Sequence, residues 1–269
     1  MITQNDIKII YNIDKYILAD IQTITENTAE TWQPNRTTIE KEKDTKIGKL
    51  AENIISSYIK ANIPQIHYLS YDKFRTDNSI IHAPFDGLLF SNNVDTIILD
   101  ELICEINNTK DKFGKITNDL KDKILNNHIY ITEIKSTRVT PRHKTNNNID
   151  LNKILNDDFL SYPKFTRYDK NNKINNLQDY LAFVNSSGFF YNEQTLKEVE
   201  KANMSHIYVR IYIDEDAQIA YIIGVISRDA FIKNMTIKKM VQCNKSEKAL
   251  YLSTPLTNGA NIDALAKLS

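Results

Sequence analysis

Cysteine, proline, glycine and tryptophan are all scarce in this chain of 269 residues, which has two cysteines, six prolines, six glycines and one tryptophan. Cys104 and Cys243 lie far apart, so neither a disulfide framework nor a CxxC zinc pattern is available, and the reducing cytoplasm is the expected compartment. Long apolar runs are missing too. No stretch approaches the roughly 20 residues needed to cross a bilayer, and residues 1–15 lack the apolar centre of a signal peptide. A soluble protein without a membrane partner is expected. Net charge is also absent: 34 basic residues face 34 acidic ones. Bulk attraction to nucleic acid is thereby excluded, and any such binding has to come from local patches.

What is present is an ordinary globular composition, 41% hydrophobic and 25% charged, in a chain long enough to bury a large core. One compact unit over residues 1–269 is expected, with a helical addition at 1–43, a core at 44–235 and an extension at 236–269. In residues 5–26, Ile7, Ile10, Tyr11, Ile17, Leu18, Ile21 and Ile24 recur at helical spacing, which predicts one or two amphipathic helices. Residues 40–46 then read as a charged loop. Ile47, Leu50, Ala51, Ile54, Ile55 and Tyr58 mark a second helix, with Asp44 or Thr45 as N-cap and Pro64 beyond its end.

From residue 67 the pattern shortens to strand-like segments, and 80–90 reads as a strand entering a hairpin at Asp86 and Gly87, with 96–99 as its return. Residues 101–126 revert to a polar helical pattern. Ile, Tyr, Ile, Thr and Ile between 129 and 135 predict a strand. Residues 136–176 read as short helices in long loops, 177–184 and 193–201 as helices, and 206–213 with 220–226 as a hairpin. Ser227 sits where a cap belongs, before a helix at 228–235. The order predicts an α/β fold, a central mixed β-sheet flanked by helices.

Alternation puts Glu133 and Lys135 on one face of the 129–135 strand, with Ile134 turned to the other. Charges on such a strand are costly unless paired or bound to metal. A salt bridge at a sheet edge is the plain alternative. Asp86 precedes glycine, an ordinary hairpin-turn pairing, yet the apolar run resumes directly after it. If its strand neighbours that of Glu133, two carboxylates converge, and hard oxygen donors of this kind suit Mg²⁺.

Pro84, Phe85 and Asp86, followed by Glu133, Ile134 and Lys135, resemble the PD-(D/E)XK nuclease superfamily, which includes type II restriction endonucleases. That family's core is a helix, a strand hairpin bearing the Asp, a strand bearing the (D/E)XK, then a helix and a further strand. The resemblance covers roughly residues 44–137 and, more loosely, the hairpin at 206–226. It implies a magnesium-dependent endonuclease cutting double-stranded DNA, with Asp86, Glu133 and the Ile134 carbonyl holding Mg²⁺ and Lys135 orienting the attacking water. Glu52, at the rim of the apolar stripe of its helix, fits a glutamate that the family often carries there; an ordinary surface glutamate is its alternative. A sequence-specific restriction enzyme is the first expectation. A repair, recombination or transposition nuclease and an inactive DNA-binding domain remain alternatives. Symmetric cutting of a duplex favours a homodimer, and Trp32 with the helix before it is read as core packing or a dimer contact.

Residues 135–173 contain nine basic side chains against four acidic ones, a local excess in a neutral protein. Arg138, Arg142, Lys144, Lys164 and Arg167 are the expected DNA contacts, with Asn146, Asn147, Asn148, Tyr162, Phe165, Tyr168 and Asn171 interleaved for base edges. An Asn- and Lys-rich loop that merely follows the chain's composition is the alternative. His82 is placed on the same strand face as Asp86, either near substrate or as a packed or surface histidine. His143 joins the basic segment with no assigned chemistry.

Overall fold

A computed structural model describes residues 1–17, 38–78, 81–165, 168–169, 173–241 and 248–268. Leu18, Ile21, Ile24, Trp32, Arg167, Lys170, Asn171 and Cys243 lie outside the described residues.

The start of the chain corrects the sequence reading. Residues 8–11, expected to be helical, form strand β1 (Lys8–Tyr11), with short 3-10 turns at Gln4–Asp6 and Ile13–Tyr16 on either side. The isoleucines at 7, 9 and 10 fit a strand as well as a helix, and pairing to a sheet edge decides between them. Residues 40–46, expected as a loop, instead belong to helix α1 (Thr38–Asn62). Glutamate and lysine are good helix formers, so a charged run need not break one.

β2 (Ile66–Ser70) and β3 (Gly87–Ser91) follow and pair antiparallel, so the segment bearing Asp86 is the long connection between them. The expected return strand at 96–99 is the first turn of α2 (Thr96–Thr109), started by the Asp95 carboxylate accepting from the Ile97 N–H at 2.8 Å. α3 (Asn118–Asn126) is capped in the same way by Thr117, and β4 (Ile129–Arg138) carries the expected strand.

The segment after β4 holds a small hairpin, β5 (Lys144–Thr145) with β6 (Asn148–Ile149), then α4 (Leu151–Leu155), β7 (Asp158–Ser161) and β8 (Tyr168–Asp169). The remaining elements follow expectation closely: α5 (Leu177–Ser186), α6 (Glu193–Asn203), β9 (Ile207–Asp214), β10 (Ile219–Ser227) and α7 (Arg228–Lys233), which Ser227 caps. The C-terminal part adds β11 (Thr236–Val241) and β12 (Lys248–Pro255).

Six strands form the central mixed sheet in the order β1-β10-β9-β4-β3-β2. The β4–β9 pair is parallel and the other pairs are antiparallel. Helix α1 covers one face, burying Ile47, Leu50, Ala51, Ile54, Ile55 and Ile59 against Leu89, Ile134, Val209 and Ile211. The other face is covered in two blocks. Leu102 and Ile106 of α2 with Leu120 and Ile124 of α3 pack on Leu88, Ile129 and Ile131. Tyr180, Leu196 and Phe231, together with Leu250 and Leu252 of a second sheet ordered β11-β12-β7, pack on Tyr208, Tyr212 and Ile223. β9 is buried along its whole length because it is covered on both faces, as its near-continuous apolar sequence requires. No helix among the described residues is long and apolar enough to cross a membrane.

Candidate active site

On β4 the alternation is as expected: Ile134 joins the α1 side of the sheet, while Ile129 and Ile131 pack on the opposite side. Glu133 and Lys135 therefore leave the strand on the face away from α1, next to the blocks that cover it. Their side chains are 23% and 25% exposed, and the ammonium donates to Glu133 Oε1 at 2.5 Å. It also lies 5.2 Å from the centre of the Tyr162 ring, which follows β7 across this face.

Asp86 is not a hairpin-turn residue. It closes the irregular segment before β3, where its own N–H donates to the Thr132 carbonyl at 3.2 Å as the last main-chain link between β3 and β4. Beyond Thr132, β4 continues along β9 alone. Asp86 Oδ2 fills the vacated edge by accepting from the Ile134 N–H at 2.6 Å. The carboxyl of Asp86 is thus seated on the backbone between Glu133 and Lys135, forty-seven and forty-nine positions away in sequence. A strand residue projects its N–H and C=O to the same side, so the Ile134 carbonyl faces this same opening.

Glu52 reaches the site from α1. It is 6% exposed, so it is not an ordinary surface glutamate. Its carboxylate accepts from Lys49 Nζ at 2.7 Å and from Ser70 Oγ at 3.1 Å, and Ser70 pairs with Gly87 at the base of the β2–β3 ladder. Lys49 also bridges to Asp72 at 2.6 Å. Lys49, Ser70 and Asp72 were not singled out from the sequence. The i, i+3 spacing of Lys49 and Glu52 on one helix was the available signal.

The electrostatics tie these groups together. Burial, then the charges of Glu133 and Glu52, push the Asp86 carboxyl well above the ordinary aspartate range. Burial likewise raises Glu52 against the opposing pull of Lys49. Burial works against the Lys135 ammonium, but Glu133 and other nearby groups, Asp86 among them, outweigh it and hold the amine charged above the usual lysine range. Carboxyls crowded until one resists ionising are what a cation relieves.

The oxygen donors fit a hard divalent cation. Asp86, Glu133 and the Ile134 carbonyl offer three, and Glu52 stands behind them. Among the described residues no three His, Cys, Asp or Glu side chains are already gathered as a metal cage. Two carboxylates and a main-chain carbonyl are hard oxygen donors of the kind Mg²⁺ takes, with waters and substrate phosphates filling the remaining positions.

The expected DNA contacts are distributed differently. Arg138 is paired with Asp44 at 2.6 Å and Glu215 at 2.8 Å, Arg142 with Asp157 at 2.9 Å, and Lys144 with Asp214 at 3.1 Å. Lys164 is exposed, its backbone N–H fixed by the buried Glu200 and its ammonium 5.6 Å from the Phe165 ring centre. His82 is exposed in an irregular segment rather than on a strand. His143 is a core residue, 1% exposed, with Nδ1 accepting from the Thr140 N–H at 3.0 Å and burial depressing its pKa. Compared with protein-family models, curated proteins and solved structures, the chain matches none.

Proposed function

We propose that the chain is a magnesium-dependent endonuclease hydrolysing phosphodiester bonds of double-stranded DNA, with site-specific cutting of the restriction type as its favoured form. One observation carries the reading: the Asp86 carboxyl docks on the Ile134 amide beside the Glu133–Lys135 pair, at the point where β3 stops pairing with β4. The element order supports it as well. Helix α1, the antiparallel strands β2, β3 and β4, and then, after α5 and α6, β9 parallel to β4 follow the core order that the resemblance implies, with α2 and α3 inserted between β3 and β4 and β5 to β8 with α4 inserted after β4.

Asp86, Glu133 and the Ile134 carbonyl would hold Mg²⁺. Bound there, the ion would supply Lewis acidity toward a phosphate oxygen and lower the pKa of a coordinated water. The chain's own residues do the rest. Lys135, kept protonated by Glu133, orients the attacking water and offsets negative charge growing on the phosphate. Tyr162 covers the ammonium from above and limits water at that point. Ser70 and Lys49 hold the buried Glu52 carboxylate in place, where its charge acts on Asp86.

Incubating supercoiled plasmid with the protein and Mg²⁺ tests the proposal. Discrete linear fragments are the expected result, smears or isolated nicks would move the reading to another nuclease class, and intact plasmid over a range of pH and Mg²⁺ would remove it. In the same assay Lys135→Ala is expected to lower the cleavage rate about 10²–10³-fold, the usual effect of deleting one preorganised donor at a developing charge.

A further inference from the structure

A recess beside the candidate site is lined by a buried cation that the proposed chemistry does not use. Arg210 on β9 stands opposite Lys135 on β4, so the two side chains leave neighbouring strands, about 4.8 Å apart, on the same face of the sheet. Arg210 is 4% exposed. Its Nη2 donates to the Tyr212 hydroxyl at 3.3 Å and its guanidinium lies 5.0 Å from that ring's centre. Among the described residues its Nε has no hydrogen-bond partner and its guanidinium makes no salt bridge. A buried N–H left unsatisfied is destabilising, and a ligand supplying an acceptor would relieve it.

The recess has a volume of about 330 Å³, and Arg142, Asp157, Asp158, Arg210, Lys238 and Lys239 contribute to its wall. Both acids are already engaged. Asp157 accepts from Arg142 at 2.9 Å and from the Tyr212 hydroxyl at 2.6 Å, and Asp158 from Lys238 at 2.5 Å. Arg142 and Lys238 are taken up by those two acids, which leaves Arg210 as the buried cation of the wall that carries an unsatisfied donor. A planar guanidinium matches two phosphate oxygens at once, which favours a phosphate over a carboxylate or a halide.

We propose that this recess seats a backbone phosphate of the DNA next to the one at Lys135, with Arg210 as a positioning residue that fixes the strand's register. The inference rests on the nuclease reading for the identity of the strand, though not for the affinity of the recess for phosphate. The place of Arg210 directly opposite Lys135 on the neighbouring strand selects the backbone over a free nucleotide.

Arg210→Met tests it. Methionine keeps much of the buried stem, and Arg142 and Tyr212 still satisfy Asp157, so the fold is expected to persist. Binding of a fluorescently labelled duplex without divalent ions, followed by anisotropy across salt concentrations, is expected to lose about 0.9 from the slope of log K against log salt, one phosphate contact. Arg210→Lys should restore most of that slope. In the wild type, titration with inorganic phosphate should shift the Arg210 Nε–H resonance. If Arg210→Met does not fold, Lys239→Gln at the rim should reduce the affinity for inorganic phosphate in its place.

An unmoved Nε–H signal, or an identical slope in variant and parent, overturns the proposal. A shifted signal with an unchanged slope overturns the backbone assignment in favour of a free phosphate or nucleotide. Plasmid left uncut by a protein whose slope and signal both respond removes the nuclease reading and upholds the phosphate seat.

Discussion

Asp86→Asn is expected to abolish Mg²⁺-dependent cleavage and, at neutral pH, to make the metal-free protein more stable than the parent. Asparagine keeps an oxygen to accept from the Ile134 N–H, so the edge of β4 remains satisfied, but it loses the charge that a cation needs. Loss of a carboxylate ligand should lower the rate at least about a hundredfold, since even the partners that orient such ligands are worth 10–100-fold. The stability gain comes from the same electrostatics. The folded-state pKa of Asp86 is raised by burial and by Glu133 and Glu52, so folding favours its neutral form. Stability associated with this proton is fully present below the unfolded aspartate value, about 3.9, and is lost as pH rises through the raised folded value.

The melting temperatures of parent and variant should therefore coincide near pH 3.5 and separate as pH rises to 7. Each kcal/mol is worth about 2–4 °C in a chain of this size. Saturating Mg²⁺ should stabilise the parent and leave the variant unmoved. A melting curve that stays equal in the two proteins at every pH would refute the crowding of charge at this point, and cleavage at the parental rate would remove Asp86 from the site.

Gly87→Ala should lower both stability and activity, although it adds one methyl group to a strand. Gly87 does not serve a turn. A Cβ there would lie 2.6 Å from two ring atoms of Tyr68 and 2.7 Å from the Leu69 carbonyl oxygen. The ring belongs to the residue whose hydroxyl donates to the Asp86 carbonyl at 3.1 Å, and the oxygen is β2 backbone, which cannot give way without breaking the ladder. Overpacking of this kind costs about 1–3 kcal/mol. Its effect on rate should be larger, because any shift of β3 moves Asp86, and a displacement of about 1 Å can cost about 10²-fold. Gly48→Ala is the control. It lies within α1 with nothing within 4 Å of the added atom, and should stabilise by about 0.5–1 kcal/mol with unchanged activity. Parental melting and cleavage in Gly87→Ala would mean that this corner of the sheet is looser than the contacts imply.

The elements that carry strong periodicity were legible from the sequence: the 47–58 part of α1, β4, the β9–β10 hairpin and the two helices before it. So was the expectation that Glu133 and Lys135 share a face. Less legible were features set by partners distant in the chain. Residues 8–11 hold apolar side chains that satisfy a helix or a strand, and only pairing with residues 219–222 makes them a strand. Asp86–Gly87 imitates a turn because local chemistry cannot reveal that Tyr68 occupies the space where a side chain would stand. The arginines at 138 and 142 raised the local charge as counted, but counting could not show that Asp44 and Glu215 come from other segments to meet Arg138, or that Asp157 of the same segment pairs with Arg142. Arg210 went unnoticed for the opposite reason. It is a single cation in an apolar strand, and its interest lies in a nitrogen left without an acceptor.

The parting of β3 from β4 also bears on how inactive variants should be made. Just past Thr132, one aspartate takes the place of a neighbouring strand at Ile134, shielding an amide that would otherwise invite another chain to add itself. Truncating that side chain to alanine would bare the border and encourage self-association, so turbidity in such a preparation would report a lost stopper rather than lost chemistry.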